Sequence, residues 1–172
     1  MSRTTLNNSI KLRRLRGATL FESLLYIALF GLIFATLIGF FLFLFQQHLN
    51  QNKNIKLYRN VQYLSEHFAE SSNDYKVIDK ENSDLEIESG KITLRNAEKN
   101  KTLIYYVENN SLYVNRNNSI NSITVPGIRV EKFLLTPITN SDDEIIGVEI
   151  NTTLDNGIVK ENIKYTYLSY EI

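Results

Sequence analysis

Cysteine and tryptophan are absent from the 172 residues, and there are only two prolines, two histidines and one methionine. Without cysteine, disulfides, thiolate metal sites and a lipoprotein anchor are excluded. An exported domain of this composition must rest on packing alone, or on burial against neighbours. Enzymatic signatures are missing as well: no Gly-x-Ser-x-Gly, no Walker loop, no His-Glu-x-x-His and no cysteine nucleophile. No catalytic residue and no cofactor is expected. Nothing repeats at solenoid spacing.

Charge is present but uneven. The formal net charge is zero, and residues 1 to 17 hold Arg3, Lys11, Arg13, Arg14 and Arg16 with no acid. That is +5, so the remainder sums to −5, and no basic nucleic-acid footprint stands out. From Ala18 to Phe45 the one charged residue is Glu22, and from Ser23 to Phe45 the polar residues are Ser23 and Thr36. As a helix, Ser23 to Phe45 rises roughly 34 Å, enough for a bilayer core of about 30 Å. The spacing predicts a transmembrane helix, and the basic leader places the C-terminal domain on the non-cytoplasmic side. A cleaved secretory signal is disfavoured. The apolar run is about twice the usual 7 to 15 residues and leaves through Phe43-Leu44-Phe45-Gln46-Gln47, without a small-residue exit.

Glu22 is the anomaly, because a carboxylate near the start of a spanning helix costs a few kcal/mol unless it is paired or interfacial. Gly17 lies five residues before it, at the end of the basic leader. The stretch Arg16-Gly17-Ala18-Thr19-Leu20-Phe21-Glu22-Ser23 resembles the type IV pilins and pseudopilins. Their leader ends in glycine, a prepilin peptidase cuts after it, and the new N-terminus is methylated. The resemblance implies cleavage between Gly17 and Ala18 and methylation at Ala18. With Ala18 as the first mature residue, Thr19 is second, Leu20 third, Glu22 fifth, Ala28 eleventh and Gly31 fourteenth. Two departures stand out: Ala18 replaces the usual phenylalanine, and Gly39 stands where major pilins often have proline. The implied partners are the prepilin peptidase, other pilins in a filament and the inner-membrane assembly platform. The implied location is the bacterial plasma membrane, then the filament. In the family the fifth-position acid is thought to meet the N-terminus of a neighbouring subunit, which makes Thr19 and Glu22 assembly residues.

Residues 1 to about 12 are weakly patterned and read as a disordered leader. One helix is predicted from about 18 to 71, since no proline or glycine occurs from Gln46 to Ser71. Leu57, Tyr58, Val61, Leu64, Phe68 and Ala69 form an apolar stripe in its second half. His48 and His67 are nineteen residues apart on that helix, roughly 28 Å, too far to share a metal. Both read as solvated surface residues. Gly31 and Gly39 would permit close helix approach or local unwinding, unless they are simply the glycines common in spanning helices.

After Asp74 the period changes to two. Hairpins are predicted at Leu85–Leu94 around Glu88-Ser89-Gly90-Lys91, at Thr102–Val114 around Glu108-Asn109-Asn110-Ser111, and at Ile145–Tyr170 around Asp155-Asn156-Gly157. A strand from about Gly127 to Leu135 completes five to seven antiparallel strands. The fold class is α+β: a long N-terminal helix packed on a small antiparallel sheet. Domains are expected at 1–17 (leader), 18–45 (spanning helix), 46–73 (amphipathic continuation) and 74–172 (β domain).

Leu103-Ile104-Tyr105-Tyr106-Val107-Glu108-Asn109-Asn110-Ser111-Leu112-Tyr113 resembles a hairpin of minor pilins of the J-type pseudopilin and PilW-like kind and of competence pseudopilins, which favours a minor subunit. Tyr105, Tyr106, Tyr113, Tyr165, Tyr167 and Tyr170 would suit stacking on single-stranded DNA, as a tip-located subunit capturing DNA or a surface would need. The acidic mature chain opposes direct DNA binding. Asp142-Asp143-Glu144 matches no defined calcium loop and reads as a charged turn. Asn100, Asn109, Asn117 and Asn151 lie in glycosylation sequons, which an asparagine-rich chain produces by chance. An ordinary signal-anchored extracytoplasmic protein is the remaining alternative, with Gly17 and Glu22 coincidental.

Overall fold

The computed structural model describes residues 19–96 and 98–169 in full. The chain divides into two compact units, Met1–Leu49 and Asn50–Ile172. Helix α1 is assigned over Thr5–Asp74, so it begins before the expected start near Ala18 and ends three residues past the expected stop. No proline interrupts it, and Gly31 and Gly39 are helical throughout. The predicted alternative of unwinding at these glycines is therefore not seen. Near its end the Asn96 side-chain amide donates to the Asp74 carbonyl, capping one of the orphan acceptors of the last turn.

In the first unit every side chain from Thr19 to Leu49 is exposed. An 18-residue stretch of the helix has mean hydropathy 2.7 with none of it buried. By length and composition this helix can cross a membrane.

In the second unit, α1 from residue 50 contributes Leu57, Leu64 and Phe68 to the core, with Val61 packed against it. Asn60 and Ser71 are also buried on that face. The predicted stripe is corrected at two positions: Tyr58 and Ala69 are exposed. The observed spacing of 57, 60/61, 64, 68 and 71 keeps one helical face, and residues 58 and 69 fall beside it. Polar Asn60 and Ser71 belong to the buried face because each has partners there.

Among the described residues eight strands follow: β1 Val77–Ile78, β2 Lys91–Asn96, β3 Lys101–Glu108, β4 Ser111–Arg116, β5 Ser119–Ser122, β6 Arg129–Thr139, β7 Ile145–Asp155 and β8 Lys160–Leu168. They form two sheets in place of the one expected, β1-β2-β3-β4-β5 and β6-β7-β8, both antiparallel meanders. Alternation places Leu103 and Tyr105, then Leu112 and Val114, in the core, and likewise Val148, Ile150 and Leu154 on β7. On β6 the buried positions step from Val130 to Phe133, because a register shift between Val130 and Lys132 resets the phase.

The hairpin around Asn109-Asn110 is as predicted, with both turn residues at positive φ (50° and 59°). This is the conformation of a two-residue type I′ connection, which asparagine tolerates. Asn117-Asn118 repeats it (50° and 71°) and leads into β5, a strand missed at the sequence level. The hairpin at Leu85–Leu94 is corrected. Residues 85 to 90 form no strand of β2's sheet but run along the edge of β6, where Glu86 and Ser89 donate their N–H groups to the Leu135 and Phe133 carbonyls (2.8 and 3.0 Å). Gly90 is needed there, since a Cβ would stand 2.3 Å from the Asp84 carbonyl oxygen.

Candidate functional site

Gly17 and Ala18, the predicted cleavage and methylation pair, lie outside the residues described in full. The neighbouring assembly residues lie within them. The Ser23 hydroxyl donates to the Thr19 carbonyl at 2.8 Å, and the Tyr26 hydroxyl donates to Glu22 Oε1 at 3.3 Å, one turn along the exposed helix. The Tyr26 bond leaves the second carboxylate oxygen and further lone pairs open to an incoming cation. Tyr26 also begins a shallow apolar groove with Ile27, Phe30, Gly31 and Phe34, in which the two phenylalanine rings stack at 6.3 Å between centroids. Among the described residues a Cβ at Gly31 or Gly39 would meet nothing within 4 Å, so none of them requires glycine at either position. From Thr19 to Leu49 the described first unit is thus an exposed, largely apolar helix that carries a single carboxylate, Glu22.

In the second unit a polar cluster lies between the helix and the sheets, beside the apolar core. The Tyr105 hydroxyl donates to Ser71 Oγ at 2.7 Å and lies 2.8 Å from His67 Nδ1, while the Tyr165 hydroxyl donates to Ser72 Oγ at 2.9 Å. The expectation of a solvated His67 is therefore corrected: it is half-buried and stacks edge-on against Tyr105 at 5.6 Å. Burial lowers its pKa below the ordinary value, the Arg116 charge lowers it further and Glu70 partly opposes. His48 stays on the exposed helix surface. Tyr105 and Tyr167 are buried, while Tyr106 and Tyr113 stack on each other at 5.6 Å across the β3–β4 pair. The six tyrosines named above therefore form no shared exposed platform among the described residues, and Tyr170 lies outside these.

Asp142-Asp143-Glu144 occupies the β6–β7 turn, where Asn140 Oδ1 accepts the N–H groups of Asp142 and Glu144 (3.0 and 2.9 Å). Among the described residues no three His, Asp or Glu side chains are grouped to hold a metal. Asn100, Asn109 and Asn117 each stand at positive φ in a turn, which gives these sequon asparagines a backbone role. A further feature escaped the sequence reading. Lys56, Arg59 and Tyr63 on α1 form a groove with Ile123, Val125 and Pro126. Asn60 holds its wall rigid, donating to the Ile123 carbonyl at 2.9 Å and accepting from the Val125 N–H at 3.4 Å. The sequence signal was a basic run without an acid between Glu22 and Glu66.

No protein-family model, curated protein or solved structure matches the chain.

Proposed function

We propose that the chain is a prepilin-type structural subunit, a minor one, of a type IV pilus or type II secretion-like pseudopilus. It is cleaved after Gly17, methylated at Ala18 and guided into the filament by Glu22. The observation that carries this reading is the joining of a basic, glycine-ended leader to a bare apolar helix with one acid at its head. An exposed helix of this composition needs a hydrocarbon solvent or sister helices. Its lone carboxylate needs a cation at the same depth, and cleavage after Gly17 creates one, the α-ammonium of Ala18 in a neighbouring subunit. The second half of α1 then serves as the amphipathic support on which the β domain sits outside the membrane.

The test is Glu22→Ala and Glu22→Leu in a strain carrying the assembly machinery. Removing one member of a buried ion pair costs about 3–5 kcal/mol. Membrane insertion and leader cleavage are expected to persist, while the variant's abundance in sheared filaments falls by more than about a hundredfold, the factor that energy implies. Wild-type abundance in filaments would refute the role of Glu22.

A further inference from the structure

Two surfaces of the second unit differ in charge: one is a groove with basic side chains, the other an acidic segment with an exposed isoleucine. The first is the groove lined by Lys56, Arg59, Tyr63 and Val125. Both its charges are positive, its apolar wall includes half-exposed Tyr63 (48%) and Val125 (41%), and its backbone is pinned by Asn60. The second is the segment Glu81 to Glu88, which carries Glu81, Asp84, Glu86 and Glu88 and no base. At its tip Ile87 is 58% exposed.

That segment is built, not loose. Glu86 and Ser89, on either side of Ile87, both hold positive φ (66° and 64°), a strained conformation for these residue types. They keep it while bonded to the β6 backbone, with Gly90 packed too closely for any side chain. The fold therefore spends backbone strain to point an isoleucine outward among carboxylates, and such strain gathers at sites with a task. Asp84 is engaged by Lys91 at 3.7 Å, which leaves Glu81, Glu86 and Glu88 as the acids facing outward.

We propose that the acidic Ile87 loop of one copy docks in the Lys56–Arg59 groove of a second copy. Ile87 enters the apolar wall at Val125 and Tyr63, and Glu86 and Glu88 meet Lys56 and Arg59. The contact joins unlike surfaces, so each copy offers one groove and one loop; it closes a pair when two copies exchange loops reciprocally and runs on head to tail when they do not. This deepens the filament reading by naming a contact between neighbouring β domains. The contact forms whether or not the leader is cut, so the two ideas fail separately.

Native cysteine is absent, which makes site-directed cross-linking clean. Full-length chains carrying Ile87→Cys are mixed in detergent with full-length chains carrying Val125→Cys and exposed to a short bis-maleimide. A cross-linked dimer is expected in the mixture and not with either variant alone. Lys56→Glu with Arg59→Glu in the Val125→Cys chain should lower the yield about tenfold, and Glu86→Lys with Glu88→Lys in the opposing chain should restore it to within about twofold. Because the rescued pair must fold to cross-link, misfolding cannot imitate this pattern. Absence of the mixed cross-link, an 87–87 cross-link in its place, or a yield indifferent to charge reversal would overturn the proposal. So would binding of a single-stranded oligonucleotide in the groove with no cross-link, which would give the groove to nucleic acid.

Discussion

His67 illustrates how one buried contact decides a residue's behaviour. Its ring is sandwiched between Tyr63 and Tyr105, at 5.9 and 5.6 Å between centroids, and its Nδ1 meets the Tyr105 hydroxyl. Burial and the nearby Arg116 both oppose the imidazolium, so the folded pKa lies below 6.5. The unfolded chain consequently binds the proton first as pH falls. Stability from this group is fully present above about 6.5 and is lost as pH drops through the window between the unfolded and folded values. Urea midpoints measured from pH 8 to pH 5 should fall in the wild type and fall less steeply in His67→Gln. Parallel profiles would show that His67 carries no such linkage. Asp79 acts at lower pH. Burial alone would raise its pKa, but hydrogen bonds from Asn82 and the charge of Arg95 outweigh it, so its contribution holds above the usual carboxylate range and is lost in acid below that.

At the scale of elements, what could be read from the sequence was whatever had a local cause. Asn109-Asn110 signalled a turn because asparagine tolerates positive φ, and the strands flanking it alternate in burial as their residues suggest. Asn117-Asn118 carried the same signal, but the strand it introduces, Ser119-Ile120-Asn121-Ser122, is wholly exposed and shows no alternation. The Leu85–Leu94 error has a different source. Leu85 and Ile87 have strand-like spacing, yet their segment bonds to β6, some 45 residues further on, and no local pattern reports that pairing. The division into two sheets was hidden for the same reason. Of the candidate site, Glu22 was legible because it breaks an apolar run, whereas the Lys56–Arg59 groove needed Val125 to be brought to the helix. The type I′ reading of Asn110 is testable. Asn110→Ala places a Cβ-bearing residue without a compensating amide at φ 59° and should cost about 1 kcal/mol, whereas Asn110→Gly should be near neutral. Chemical denaturation distinguishes them, and equal midpoints for the two variants would contradict the turn assignment.

For the molecule as a whole, the account turns on a surface that water does not favour. From Thr19 to Leu49 every side chain is exposed, and the run from Ser23 to Phe45 is almost wholly apolar. A helix of this length and composition can cross a membrane, and the proposed filament adds sister helices in place of the lipid. The second unit builds one apolar core from α1 and both sheets, and the chain has no cysteine to form a disulfide. The claim that unites these parts is that Gly17 marks a cut, and that the cut creates the cation Glu22 requires. The most direct measurement is mass spectrometry of the N-terminus of the protein isolated from its native membrane or filaments. The account predicts a chain that begins at Ala18, lighter by the 17-residue leader and heavier by one methyl group. A protein that still begins at Met1 would contradict it.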